Sequence, residues 1–199
     1  IWDAMKRRET FATSGPRIKI RMFGGVGLSE PTDPVAMAND GYLLGTHMGG
    51  NLPPLGDAPS FTVHAEKDPM GANLDRIQII KGWIDEYGDA NEKIIDVVWS
   101  GDREIDPATG KLPAVGNTVD LKMAMFTNEI GAPVLMGRWT DVDYDPQATA
   151  FYYARVLEIP TPRWSTYDAV RNDLPLLEDV PATIQERAWG SPIWYSPAR

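Results

Sequence analysis

From Arg17 to Phe23 the chain alternates strictly, with Ile18, Ile20 and Met22 on one side and Arg17, Lys19 and Arg21 on the other. A period of two with one apolar side marks a half-buried β-strand. Phe61, Val63 and Ala65 alternate in the same way with Thr62, His64 and Glu66, and Asp68-Pro69-Met70-Gly71 ends that run as a turn. Further β-type runs follow at Leu74 to Trp83, Lys93 to Trp99, Thr118 to Phe126, Pro133 to Trp139 and Ala150 to Glu158, separated by clusters of Gly, Asp, Asn and Pro. With Ala182 to Trp189 and Ile193 to Tyr195, the pattern predicts about eight or nine strands. Spacing of this kind predicts an all-β fold, an antiparallel immunoglobulin-like β-sandwich with long loops in which Phe151 to Val156 is a central strand.

Two stretches lack this alternation. Residues 24–60 carry Gly24-Gly25, Gly49-Gly50 and Pro53-Pro54 with patchy periodicity. They read as an extended excursion with one short strand near Tyr42 to Leu44, long enough to contact another domain. The first fifteen residues, Ile1 to Gly15, instead read as a helix already in progress, because Ile1, Trp2 and Met5 recur at helical spacing without a polar N-cap ahead of them. The expectation is a short amino-terminal helix whose apolar face needs a partner, in a chain that begins mid-protein.

Composition supports this picture and narrows the chemistry. The 199 residues include 43% hydrophobic side chains, enough for one substantial core, and 17 Pro with 18 Gly favour short strands over long helices. Nineteen basic against 28 acidic residues give a net charge of −9, and apart from Lys6-Arg7-Arg8 no basic cluster stands out, which argues against nucleic acid as a partner. Cysteine is absent, so disulfides and thiol chemistry are excluded and the compartment stays open. No apolar run approaches membrane-spanning length.

His47 and His64 are the only imidazoles, and neither stands in a metal-ligand spacing, so no catalytic or metal residue is assigned. His64 falls on the polar side of its strand and reads as a surface or interdomain residue. Asp141, Asp143 and Asp145 could turn three carboxylates toward calcium, but Pro146 and Tyr152 stand where an EF-hand loop needs Gly and Glu. The simpler reading is an acidic turn whose carboxylates cap backbone amides. Gly24 to Gly27 and Gly45 to Gly50 lack the Lys-Ser/Thr of a phosphate loop. Seven Trp are present: Trp99 and Trp139 fall within strand patterns and read as core, whereas Trp164, Trp189 and Trp194 lie in Pro-punctuated segments and read as interface candidates.

Four motifs are more specific. The opening Ile1 to Arg17, the middle Leu74-Asp75-Arg76-Ile77-Gln78-Ile79-Ile80-Lys81-Gly82-Trp83, the segment Glu158-Ile159-Pro160-Thr161-Pro162-Arg163-Trp164 and the closing Ala182 to Tyr195 together resemble the domain-of-unknown-function family 3604, over nearly the whole chain. Members of that family resemble PHP-like (polymerase and histidinol phosphatase) metallohydrolases, whose distorted β/α barrel holds divalent metals on His and Asp clusters. In the branch that includes carbaryl-hydrolase-like proteins the last barrel helix runs into a Thr-Ser/Asn-Gly-Pro turn and then a β-sandwich, a turn that Thr13-Ser14-Gly15-Pro16 matches. The resemblance implies that residues 1–16 end an upstream barrel and that residues 17–199 form a carboxy-terminal sandwich. It places the metal motifs upstream of Ile1, so no cofactor is expected in this chain and divalent metals belong to the preceding domain.

The resulting expectation is a non-catalytic domain that supports or shapes the substrate site of a metal-dependent hydrolase, with the upstream domain of the same polypeptide as its partner and self-association through the exposed helix face as a second possibility. Ile1, Trp2, Met5, Arg163, Trp164, Glu186, Arg187, Trp189 and Trp194 form the expected interdomain surface. A carbohydrate- or ligand-binding module using exposed Trp is the alternative, and a calcium-stabilised sandwich a third.

Overall fold

A computed structural model describes residues 1–197. Its strands are β1 (Phe11–Thr13), β2 (Lys19–Gly25), β3 (Thr46–His47), β4 (Ser60–Glu66), β5 (Leu74–Ile84), β6 (Ala90–Trp99), β7 (Val134–Thr140), β8 (Ala150–Glu158), β9 (Thr161–Pro162), β10 (Thr183–Ile184), β11 (Arg187–Gly190) and β12 (Ile193–Tyr195), with helices α1 (Trp2–Lys6), α2 (Pro34–Leu44) and α3 (Trp164–Arg171). The chain is mostly β, and every strand pairing is antiparallel.

One sheet runs β1-β11-β8-β5-β6, and a second runs β3-β2-β4-β7. Strand β5 occupies one edge of β8 along its length, so β11 and β12 share the other: Ala188 faces Val156, and Trp194 faces Phe151. The two sheets meet across one core. Ile18, Ile20 and Met22, with Phe61, Val63, Ala65 and Leu135, pack against Leu74, Ile77, Ile79, Tyr152, Ala154, Val156, Ala188 and Ile193. Phe61 and Tyr152 lie 4.4 Å apart between ring centroids and bring aromatic area from both sheets to the centre.

Where alternation is strict, the strands lie where the sequence places them, but the helix expected over Ile1 to Gly15 is a correction: it ends at Lys6, and Phe11–Thr13 form β1 because they pair with Ala188 to Gly190 of β11. The run Thr118 to Phe126 is a second correction: it forms turns closed by a single bridge between Asp120 and Met125, with the Asp120 carboxylate accepting from Lys122 N. Residues 24–60 are a third correction. Tyr42 to Leu44 form the last turn of α2, which is capped at its start by Asp33, whose Oδ1 accepts from Val35 N and Ala36 N, with Pro at the first helical position. Gly41 lets this helix press onto the outer face of β2, because a β-carbon there would sit 2.3 Å from the Phe23 ring. Phe23, Leu28 and Met37 make a small second core beneath it. The unexpected α3 follows β9, and Thr166 anchors it by donating to Ala182 O at 2.7 Å. The run 182–189 is divided into β10 and β11 around Gln185 and Glu186.

Candidate functional site

Period two along β8 buries Ala150, Tyr152, Ala154, Val156 and, last, Glu158. A carboxylate therefore sits at a position whose parity belongs to the core. Glu158 is 2% exposed, its backbone N–H donates to Glu186 O at 2.9 Å, and its carbonyl accepts from Gln185 Nε2 at 2.8 Å. Its side chain is less well provided for: among the described residues, buried Oε1 has no hydrogen-bond partner. Leaving a buried acceptor unmatched costs about 1–3 kcal/mol.

The carboxyl lies in a cleft of about 410 Å³ whose walls come from six short segments. Gly15 and Pro16 follow β1, Asp68 to Ala72 link β4 to β5, Phe126 comes from the 118–126 turns, and Thr161-Pro162, α3 and Glu186 complete the rim. Trp164 and Tyr167, whose ring centroids are 5.9 Å apart, form its aromatic side. Burial, with the negative charges of Glu186 and Asp68 nearby, pushes the Glu158 carboxyl up to about 8. Asp68 goes the other way: its oxygens accept from the backbone N–H of Arg17 at 2.8 Å and of Met70 at 3.0 Å, which hold it below the usual carboxylate range. Glu186 accepts from the Ser14 hydroxyl. The cleft thus sets an acid that keeps its proton at neutral pH beside carboxylates that accept backbone and hydroxyl donors.

The residues expected at an interdomain surface divide between two places. No residue of α1 is buried, and Ile1, Trp2 and Met5 are all exposed. Met5 meets Trp194 in a shallow groove with Thr10, Gly49 and Pro192, and Lys6 lies 5.7 Å over the Trp2 ring. Trp164, 66% exposed, and Glu186 instead line the Glu158 cleft. Arg163 precedes α3 and donates its backbone N–H to Ala182 O, while Arg187 hydrogen-bonds Ser14 Oγ through its N–H and Gln185 O through its guanidinium. Trp189 is half-buried on β11, between Ala12 and Arg155.

The Asp141 to Asp145 turn is occupied by its own chain. Asp141 pairs with Lys81 at 2.6 Å and accepts from Tyr152 at 2.7 Å, Asp143 pairs with Lys93 at 2.5 Å, and Asp145 caps Gln147 N at 2.8 Å. Among the described residues no group of three or more His, Asp or Glu side chains is placed to share a metal ion. His64 is a correction: it is buried rather than at the surface, because Arg21 and Met136 flank it across the sheet, and that burial holds its imidazole below the usual pKa. His47 directs Nδ1 at Met48 O, 2.7 Å away. No helix is long and apolar enough to cross a membrane among the described residues.

Three of the four specific sequence motifs supply the cleft: Gly15-Pro16 from the first, Glu158 to Trp164 from the third, and Glu186 from the last. Neither the curated proteins nor the solved structures contain a match to this chain. A family match spans residues 1–197, and on that span the chain belongs to the family described as protein of unknown function (DUF3604).

Proposed function

We propose that this domain is the non-catalytic partner of a PHP-like, metal-dependent hydrolase unit on the same polypeptide, docking against it and helping to shape its substrate site. On this reading the two antiparallel sheets form an immunoglobulin-like sandwich, and the divalent metals are held by the catalytic unit. The observation that carries the proposal is the bare apolar face of α1, where Trp2 and Met5 are 68% and 58% exposed and Met5 shares a groove with Trp194. Apolar side chains left bare on one helix and at the groove beside it favour a covering surface. The PHP-like character of that covering unit comes from the family resemblance.

The test is a comparison of activity. The 199-residue chain with added zinc or manganese is expected not to turn over a p-nitrophenyl phosphodiester or carboxylic ester. A polypeptide that carries both the proposed PHP-like unit and this domain is expected to do so, and to lose stability or substrate affinity when Met5 and Trp194 are both replaced by Ser. Metal-dependent turnover by the chain alone that survives repurification would overturn the reading.

A second reading, a ligand-binding module using exposed Trp, is favoured by Trp164, which stands in the open beside the Glu158 cleft. Glycan binding abolished by Trp164→Ala would support it over the first.

A further inference from the structure

We propose that the Glu158 cleft binds a primary alkylammonium group, seated between the Glu158 carboxylate and the Trp164–Tyr167 wall. The inference deepens the substrate-shaping reading and rests on this cleft being the face that meets a ligand.

The first argument is an unmet hydrogen bond. Oε1 of Glu158 is sealed among protein atoms and no described residue donates to it. Glu158 and Gly71 both line the cleft, and a β-carbon on Gly71 would lie 3.3 Å from Oε1. When the Glu158 carboxyl turns toward the cleft it lines, a ligand with an N–H or O–H can supply the donor, and a quaternary ammonium cannot.

The second argument is charge. The groups facing Glu158 are Asp68, Glu186 and Lys67, with Arg17 behind Asp68 and Arg171 on α3. Lys67 is tied down: its Nζ donates to Asp68 O at 3.1 Å and Gly71 O at 2.8 Å. Arg17 lies 3.6 Å from Asp68, and Arg171 stacks over Tyr167 at 5.5 Å. Among the described residues none of these cations hydrogen-bonds Glu158, and Glu186 and Asp68 act on its carboxyl more strongly than Lys67 does, so an ionised Glu158 beside these two acids favours a cation over a neutral hydroxyl. The third argument is the wall: Trp164 and Tyr167 offer ring faces that attract an ammonium and cover its alkyl stem. A cleft of about 410 Å³ admits a short alkyl chain.

Seating the ammonium requires the carboxylate form, so Glu158 gives up its proton to solvent as the ligand enters and no covalent bond changes. Binding should therefore release a proton near neutral pH and strengthen as pH rises toward about 8.

The experiment is calorimetric titration of the 199-residue chain with n-propylammonium chloride against sodium chloride of equal ionic strength, in two buffers of different ionisation heat. Expected are saturable binding, a buffer-dependent heat that reports proton release, and a loss of roughly tenfold or more in Glu158→Gln, since a charge-assisted hydrogen bond disappears. Trp164→Ala, a change at an exposed residue that leaves folding intact, should weaken binding separately. Tetramethylammonium, without an N–H, and 1-propanol, without a charge, should bind more weakly. Nα-acetyl-lysine methylamide distinguishes the sources: binding equal to propylammonium admits a lysine side chain as the natural group, and weaker binding restricts it to free amines. No saturable binding, affinity unchanged in Glu158→Gln, or equal binding of 1-propanol would overturn the proposal. Because the titration is read on the chain alone, its failure removes the ammonium and leaves the activity comparison above standing.

Discussion

Asp141 and Glu158 are both carboxylates at the ends of strands, 1% and 2% exposed, and their surroundings treat them in opposite ways. Around Asp141 the chain brings a full set of donors: Lys81 at 2.6 Å, the Tyr152 hydroxyl at 2.7 Å and the Asp143 N–H at 3.2 Å. Lys81 in turn donates to Asp143 O and lies over the rings of Trp83 and Tyr152. Around Glu158 it brings two more acids and no donor to Oε1. The first arrangement joins the two sheets, since Lys81 belongs to β5 and Asp141 follows β7. The second leaves a buried acceptor unmatched, so a role outside the fold accounts for it better than packing does. Buried charge is informative here through its partners rather than through its depth.

Removing one side of the paired site should have the largest effect. Asp141→Asn leaves Lys81 charged and nearly sealed, and a loss of about 3–5 kcal/mol is expected in urea denaturation. A drop under about 1 kcal/mol would mean that the pair is not what ties the sheets together.

The unpaired site should respond with the opposite sign. The Glu158 carboxyl titrates at about 8 in the fold against 4.5 for the free side chain, so between those values the unfolded chain holds fewer protons than the folded one. Its contribution is therefore complete below about pH 4.5 and is lost as pH climbs to about 8, on the order of 5 kcal/mol in all. Glu158→Gln should abolish that slope, matching the parent at about pH 5 and exceeding its unfolding midpoint at about pH 8. Parallel pH profiles for the two proteins would show that Glu158 is not held protonated.

Tyr152→Phe sharpens the contrast, because Asp141 keeps Lys81 and gives up one hydrogen bond. A loss of about 1–2 kcal/mol is expected, visible as a lower melting temperature. Trp164→Ala should be the mildest change, within about 0.5 kcal/mol of the parent, because the ring stands in the open. A larger loss would assign Trp164 to packing and weaken its claim to a ligand.

Strands β2 and β8 are legible in the sequence because their buried positions alternate, as in Lys19-Ile20-Arg21-Met22 and along Ala150 to Glu158, whereas β4 and β5 are buried on both faces and carry a weaker signal. The same parity, counted along β8 from Tyr152, puts Glu158 on the inward face, and a carboxylate at a core position is the sequence signal that marks the cleft. Helix α2 is hidden for a physical reason: only Met37 and Gly41 are buried, so no apolar stripe exists, although Asp33-Pro34 carries the start signal. Helix α3 buries only Thr166 and Ala169, which leave no hydrophobic period either. The run 118–126 misleads in the opposite direction, since its apolar residues Met123 and Met125 lie exposed on a turn. The cleft itself is assembled from segments far apart in sequence, and its members Tyr167 and Arg171 have no local pattern that announces them.

The pairing of β1 with β11 has a temporal consequence. Phe11 faces Gly190, and Thr10 bonds to Ser191 across 181 positions of chain. During synthesis β1 is made well ahead of its partner, and it has no strand to join until the chain has been extended past Gly190. Until then β8 presents an unsatisfied edge along Arg155 to Leu157, and the core lacks Ala188 and Ile193. Contacts of this range slow folding and keep a sticky sheet edge open in the nascent chain. Maturation of this domain should therefore be late and abrupt, and most vulnerable to aggregation while its closing strands are still being made.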